Sequence, residues 1–553
     1  MESQLSVALT IRRAIYDEVP LTALMSDGEA TQVACSLISD GWMLEAKEVV
    51  RQFSLYKECH EHELRRMLGH ALKTGYLTHA VSCARELYDR TGDSKMRGVL
   101  EDLLDEIEFM QRPIDYLPRL NAEVQFNSAG PVIHVVGMSF PAKQTGFTIR
   151  TKYHTEALLD EGIEQVVVVQ PGGSGKSLTK RNVYEHNGVS IVELPGPVRG
   201  SVPRMEWLDN ACTQLLDLVS EYKPRVLHAH SDHINALIAI AVGRAANIPV
   251  LYEVRGFWEE SFLARTAHEQ GWRDPDRMAT VFGYPDRYEG LRHVERMARE
   301  RVDHLITLGN AMKSYILQEG CGTVAAESIT VVPNAVDARA FGEAKHVDEI
   351  RHRLGIEEEA VVLGYVTTLS AYEGIETLID AHKLLSLRLP DRNVYLLIVG
   401  EGPHGDVLRA YAQKSGAEGV FFAGRVPHED VLSYYHVIDV FVVPRPKSRV
   451  TDLVTPLKPL EALAAGRQLV VSDTGALREM ADAVEGAIHL FRAGDAHDLC
   501  AKIESALAEH RHPSTRAKHI EWLRTHRTAA SNAKQYRSVY RQLSMRTTTD
   551  PHA

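Results

Sequence analysis

The hydrophobic positions change their spacing twice along the chain. To about residue 112 the sequence is rich in helix formers and has few β-branched runs, which predicts an all-helical segment. From residue 130 short apolar runs alternate with longer helical stretches. Pro131–Gly137 reads as a strand, Gly146 falls in the following loop, Thr148–Glu161 reads as a helix stopped by Gly162, and Gln165–Gln170 is the next strand. Val226–His230, Val250–Val254, Leu305–Leu308 and Ile329–Val332 extend the series. After a polar connection near 336–350 the pattern restarts, with strands at Val361–Val366, Val394–Val399, Val420–Ala423, Val440–Val443 and Leu469–Ser472. Strand–helix alternation of this kind predicts an α/β class: two doubly wound, Rossmann-like parallel-sheet domains in tandem behind an all-α domain. The expected boundaries are 1–112, 130–340 and 345–512, with C-terminal helices at 513–545 that return to the first α/β domain. Such sheets take ligands beyond the carboxyl ends of their strands, so a cleft between the two α/β domains is the expected site.

Within the helical segment, Gly41-Trp42-Met43-Leu44-Glu45-Ala46 recurs as Gly75-Tyr76-Leu77-Thr78-His79-Ala80, offset by 34 residues. This period resembles a tetratricopeptide repeat, in which the glycine permits the tight turn and the alanine lets two helices approach. A coincidence within a helical bundle is the competing reading. Two repeats do not bury a solenoid core alone, so the segment is expected to lean on the rest of the chain or on a protein partner.

Composition narrows the classes. With 553 residues, 44% apolar and 25% charged, the chain is a multidomain globular protein. A net charge of −12 is the wrong sign for coating nucleic acid. No apolar stretch reaches a bilayer span and no basic-then-apolar leader opens the chain, so a cytoplasmic location is expected. The six cysteines form no CxxC pair, which predicts reduced, mostly buried thiols.

Two local patterns invite chemistry that the spacing does not support. Pro171-Gly172-Gly173-Ser174-Gly175-Lys176-Ser177 ends like a phosphate loop, but Gln170 stands where its first glycine belongs, and the polar Thr179–Gly188 stretch reads as turn rather than the required helix. His228, His230 and His233 suggest a metal, yet only Asp232 accompanies them, so strand-end histidines lining the cleft are the preferred reading.

The second half carries a specific resemblance. Val331-Val332-Pro333-Asn334-Ala335-Val336-Asp337, Tyr372-Glu373-Gly374, Val399-Gly400-Glu401-Gly402-Pro403, Ala423-Gly424-Arg425-Val426 and Pro459-Leu460-Glu461-Ala462-Leu463-Ala464-Ala465-Gly466 stand in one order. In that order they resemble the retaining nucleotide-sugar glycosyltransferases of family four, which have the GT-B fold. The resemblance covers roughly residues 130–545. Thr455-Pro456-Leu457-Lys458-Pro459-Leu460-Glu461 and Tyr252-Glu253-Val254-Arg255-Gly256-Phe257-Trp258-Glu259 further resemble the branch that builds bacterial exopolysaccharides and O-antigens.

The resemblance implies a nucleotide-sugar donor, most simply UDP-linked, and a glycan or lipid-linked acceptor. It assigns the first α/β domain to the acceptor and the second to the donor. Thr455, Pro456 and Leu457 precede a helix whose free N–H groups suit a diphosphate. Glu461, one turn inside, is placed for the ribose hydroxyls. Gly146 lets the first loop approach the diphosphate or sugar. Arg425 and Val426 belong to the base-holding turn, while His230, Thr368, Tyr372, Glu373 and Gly400 line the cleft. Arg255 is expected to orient the acceptor or steady the diphosphate, held by Glu253; a structural ion pair is the alternative. The resemblance carries no assigned protein nucleophile.

The sequence also departs from the family pattern. Leu453 stands where many relatives have a second glutamate, with Asp452 beside it, and the loop Thr367-Thr368-Leu369-Ser370-Ala371-Tyr372-Glu373 lacks the usual arginine and lysine. A leaving diphosphate needs positive charge, so the role passes to Lys458, Arg445 and Arg449, with no metal cofactor expected. Arg255, Glu253 and Lys458 are thus the expected catalytic groups. A nucleotide-sugar epimerase and a weakly catalytic scaffold recruiting other enzymes are the alternatives. In the tail, lysine or arginine occupies 511, 516, 518, 524, 527, 534, 537, 541 and 546 against the single acid Glu521. Tyr536, Val539, Tyr540 and Leu543 share one helix face expected to pack inward, leaving a basic face either merely solvated or in peripheral contact with the inner face of the cell membrane.

Overall fold

The computed structural model describes residues 2–122, 124–336, 341–342, 345–427, 430–484, 486–509 and 513–546. Asp337 of the first family motif and Arg511 of the basic tail lie outside them. The chain divides into two compact units.

The first unit joins the residues up to Leu117 to Trp258–Met297. Helices Asp27–Asp40 and Glu61–Thr74 end at Gly41 (φ 88°) and Gly75 (φ 80°), both left-handed, before helices Met43–Gln52 and Leu77–Thr91 turn back. The helix starts keep the 34-residue offset of the sequence motif. Gly75 is required twice over, since a Cβ there would also come within 2.7 Å of the Phe262 ring. Residues 258–297 read from the sequence as part of the first α/β domain, but they complete the helical unit. Lys47 Nζ donates to the Phe282 carbonyl at 3.0 Å, Tyr76 OH to the Gly283 carbonyl at 3.0 Å, and Arg287 pairs with Glu106. The insertion supplies the packing surface that two helical hairpins lack.

The second unit holds both sheets. The first uses β1 (Val132–Val136), β2 (Gln165–Val169), β3 (Asn182–His186), β4 (Val189–Glu193), β5 (Val226–His230), β6 (Val250–Val254), β7 (His304–Thr307) and β8 (Ile329–Val331). Among the described residues its order is β3-β4-β2-β1-β5-β6-β7-β8, parallel except for the β3–β4 hairpin. That hairpin corrects the reading of Thr179–Gly188 as turn. It closes on Asn187-Gly188, both at positive φ, as a tight hairpin requires. The second sheet uses β9 (Val361–Val366), β10 (Val394–Val399), β11 (Val420–Gly424), β12 (Val440–Val443), β13 (Gln468–Ser472) and β14 (Ile488–Phe491), in the order β11-β10-β9-β12-β13-β14.

Burial explains the strand readings. β1, β2, β5, β6 and β9 are buried along their whole length, as mostly apolar strands flanked by helices should be. β3 and β14 are not buried in this way. Among the described cysteines Cys321 is exposed and Cys35 half-buried, while Cys59, Cys83, Cys212 and Cys500 are buried. The final helix, Ala529–Arg546, buries Tyr536, Val539, Tyr540 and Leu543 in one cluster with Val132, Val226, Leu251 and Ile306 of the first sheet. Leu523 of the preceding helix belongs instead to the core of the second sheet. No described helix is long and apolar enough to cross a membrane.

Candidate active site

Strand register assembles a buried charge centre in the first α/β domain. His134 lies opposite His228 across β1 and β5, and His230 lies opposite Glu253 across β5 and β6. Glu253 is 0% exposed and is surrounded by Arg150 Nε at 2.8 Å, Arg255 Nε at 3.1 Å, His230 Nδ1 at 3.1 Å and His228 Nε2 at 3.3 Å. Tyr536 OH, from the final helix, lies 3.0 Å from the same carboxylate. Burial opposes ionisation, but the guanidinium charges of Arg255 and Arg150 outweigh it and hold the Glu253 carboxyl well below the usual carboxylate range.

This geometry corrects three expectations. Glu253, expected as catalytic, is sealed in the interior and acts as the counter-charge of two arginines. Arg255 is 4% exposed and spends its donors on Glu253, the Phe147 carbonyl at 2.9 Å and Thr151 Oγ1 at 2.7 Å. The structural ion pair is therefore the arrangement observed, and it fixes the start of helix Gly146–Asp160 against the end of β6. His230 is 3% exposed and bonded to His134 at 2.9 Å, so it belongs to this centre and does not line open space.

His134, His228 and His230 each bring a ring nitrogen within 4.8 Å of the others. Three imidazoles and a nearby carboxylate match a metal-ligand set by type. The charges oppose it, because Arg150 and Arg255 already neutralise Glu253 and would repel a further cation. The ring nitrogens are engaged as well: His134 Nε2 with Gln165 at 3.0 Å and His228 Nδ1 with Tyr540 OH at 2.9 Å. Burial pushes all three imidazoles below their ordinary pKa, which keeps them neutral. His233 opens helix His233–Ala246 and stands apart from the cluster.

On the donor side, Thr455, Pro456 and Leu457 precede helix Lys458–Ala464 as expected, with Pro459 in its first turn. Glu461 Oε2 accepts from Tyr435 OH at 2.6 Å and from Lys458 Nζ at 3.1 Å. Its Oε1 carries no hydrogen bond from a described residue. Lys458 is therefore tethered to Glu461, though its side chain keeps 32% exposure. Arg449 opens the short helix Arg449–Leu453.

Arg445 and Glu373 require a further correction. The Arg445 guanidinium grips Glu373 in a two-point pair, and Glu373 also accepts from Tyr365 OH. Burial opposes the Arg445 charge, but Glu373 raises its pKa overall. Neither residue offers free charge to a ligand. Tyr372 is half-buried with Arg445 5.9 Å above its ring, and Thr368 is exposed. Asp452 accepts from Gly475 N at 2.8 Å, while Leu453 is buried, so the position next to the missing glutamate holds a helix start. Gly400 (φ 132°) serves close packing, because a Cβ would fall 1.8 Å from the Thr367 carbonyl oxygen. The loops after β9 and β10 are thereby pressed together. In the turn after β11, Arg425 is exposed and Val426 half-buried.

The two α/β domains meet at named contacts. Gly146 is the first residue of its helix, not a loop residue, and a Cβ there would sit 3.7 Å from Leu457 Cδ1. Thr145 caps that helix. Lys143, exposed in the same loop, is a cation that sequence reasoning passed over. Asn334 Nδ2 donates to the Thr455 carbonyl at 2.8 Å, and Glu479 accepts from Asn310 N and Ala311 N at 2.8 and 3.1 Å. The first turn of a 15-residue helix, an anion-favouring end, thus lies against Leu457.

Two family models match the chain. Residues 145–335 match the glycosyl transferase 4-like domain, and 360–509 match the glycosyl transferases group 1 family. The lipopolysaccharide 1,2-N-acetylglucosaminetransferase of Salmonella typhimurium is 29% identical over 196 residues, 33% of this chain and about half (49%) of that enzyme. A glycogen synthase of Mycobacterium tuberculosis is 29% identical over 362 residues, 63% of this chain and 79% of that protein. Among solved structures, a sucrose-phosphate synthase from Thermosynechococcus elongatus superposes with a TM-score of 0.58 at 20% identity, over 75% of this chain and 100% of that one. Anabaena HepE in complex with UDP superposes at 0.54 and 16% identity, over 74% and 99%. Both share the GT-B fold.

Proposed function

We propose that this chain, which belongs to the group 1 glycosyltransferases of the GT-B fold, moves a sugar from a UDP-linked donor to a bacterial glycan or its lipid carrier with retention of the anomeric configuration. The observation that carries the reading is the approach of Gly146 to Leu457 across the two α/β domains. It brings the start of one helix opposite the loop that opens another, the helix that carries Lys458 and Glu461.

In this reading the uridine lies in the donor domain, with its base against the backbone of the Arg425-Val426 turn and its ribose hydroxyls on Glu461. The diphosphate lies between Thr455–Leu457 and the first turn of helix Gly146–Asp160. As the bond from sugar to phosphate breaks, negative charge grows on the leaving UDP. In this reading Lys458, Arg449 and Lys143 supply the opposing side-chain charge, and helix N–H groups add their partial charge without reorganising. No step requires a metal. The buried centre around Glu253 keeps helix Gly146–Asp160 and the end of β6 in place. UDP as nucleotide is supported by HepE, solved with UDP and with UDP-glucose. A glycan acceptor is supported by the lipopolysaccharide and glycogen enzymes among the relatives. The helical unit, with its 34-residue hairpin repeat, is tetratricopeptide-like and serves a protein partner.

Calorimetry tests the site. UDP is expected to bind the full chain with or without EDTA, and Glu461→Ala is expected to abolish that binding. Equal affinity in the variant would remove the ribose assignment. One observation favours a second reading, a scaffold with little catalysis: the Arg445 charge is consumed by Glu373. UDP binding without transfer from any donor would favour it.

A further inference from the structure

We propose that Asn334 is a positioning residue whose side-chain amide links the buried Glu253–Arg150 pair to the Thr455–Leu457 loop, setting that loop against the start of helix Gly146–Asp160. The two ends of the amide face different domains. Its Oδ1 accepts from Arg150 Nη1 at 3.0 Å, and its Nδ2 donates to the Thr455 carbonyl at 2.8 Å. The orientation of the amide is forced, because guanidinium only donates and a carbonyl only accepts. Asn334 is 5% exposed; its bond to Arg150 is buried and its bond to the Thr455 carbonyl is part-buried.

Arg150 is fixed from the other side. It donates to Glu253 at 2.8 Å, to the Val332 carbonyl at 2.9 Å, to the Pro333 carbonyl at 3.0 Å and to Tyr536 OH at 3.1 Å. Arg150 also stands within the helix whose first residue faces Leu457. One arginine thus holds both the helix that faces the donor loop and the asparagine that grips that loop. The Glu479 contact with Asn310 and Ala311 also crosses between the domains, but it lies at a more exposed rim. The part-buried Asn334–Thr455 bond is the one at the loop expected to hold the diphosphate.

For its kinetic consequence the proposal rests on the transferase reading. Asn334→Asp separates the two halves, since it keeps an acceptor for Arg150 and removes the donor to Thr455. The expected result is kcat lower by about ten- to a hundredfold with little change in nucleotide-sugar KM, as for a small misplacement of reacting groups. The melting temperature is expected to stay near that of the parent chain. Hydrogen exchange by mass spectrometry is expected to show several-fold faster exchange in the 454–460 peptide. Parent-like kcat and parent-like exchange would overturn the proposal, as would losses that only track a fall in melting temperature. If the parent chain transfers no sugar, the transferase reading fails, and the exchange measurement alone decides the role of Asn334.

Discussion

Arg445 and Glu373 form a two-point ion pair, with Nε 3.0 Å from Oε2 and Nη2 2.7 Å from Oε1. The most prominent arginine of the donor loops is therefore a structural cation. Removing its partner leaves a poorly solvated guanidinium without compensation, which typically costs about 3–5 kcal/mol. Glu373→Gln is accordingly expected to lower the unfolding free energy of the second unit by that order, read as a lower urea midpoint. A parent-like midpoint would show that the pair is dispensable and return Arg445 to the diphosphate.

Glu461 makes a sharper prediction because two neighbours already bond one of its oxygens. Hydrogen bonds from ribose hydroxyls to a carboxylate contribute roughly 1.5–3 kcal/mol each. Glu461→Ala is expected to abolish measurable UDP binding while the chain stays folded. Tyr435→Phe removes only the bond that orients Glu461 and should weaken binding about tenfold, the order expected for one hydrogen bond. A Tyr435→Phe chain binding UDP like the parent would show that Glu461 needs no orienting partner.

Much of this architecture was legible in the sequence, for a physical reason. Central parallel strands are buried on both faces, so β9, β10 and β12 appear as nearly continuous apolar runs, and β1, β5 and β6 as apolar runs broken by one or two ionisable residues. Edge strands carry no such signal. The Asn187-Gly188 turn was the available clue to β3 and β4, and it was outweighed by the polar residues around it. The loop at Thr455–Leu457 and the helix that carries Glu461 were legible because their signals are local in the chain. The centre at Glu253 was not. Its neighbour Arg255 is two residues away, but Arg150, His134 and Tyr536 come from elements about a hundred or more residues distant and meet only through sheet register. The insertion at 258–297 was hidden because its helices continue the strand–helix rhythm of the domain it interrupts.

The same centre predicts acid sensitivity. Burial depresses the folded-state pKa of His134, His228 and His230, and of His154, whose Nδ1 lies 2.9 Å from Tyr536 OH. Below roughly pH 6.5 the unfolded chain takes up protons that these buried rings refuse, so each contributes a loss of up to about 1.4 kcal/mol per pH unit. Glu253, also depressed, contributes stability above about pH 4.3, lost as the pH falls toward its folded value. Urea midpoints are therefore expected to fall steadily from pH 7 to pH 5. A midpoint independent of pH over that range would contradict the buried, neutral state of the histidines.

Along the final helix Lys534, Arg537 and Arg541 are exposed, and the opposite face is buried. Arg537 also pairs with Glu161 at 2.6 Å, which dilutes its charge. Basic residues near an anionic surface contribute on the order of 1 kcal/mol each. The chain is expected to sediment with vesicles containing anionic lipid and to be released by added salt. Equal recovery in the supernatant with neutral and anionic vesicles would leave this face as solvated surface.

Transfer itself is the most direct measurement. The full chain is incubated with a panel of UDP-sugars and GDP-mannose, a bacterial glycolipid extract and EDTA, and products are read by mass spectrometry and by NMR of the new anomeric centre. The expected result is an acceptor heavier by one sugar, formed from a UDP-linked donor with the anomeric configuration of that donor. UDP binding with no transfer from any donor, or transfer only after magnesium or manganese is restored, would contradict it.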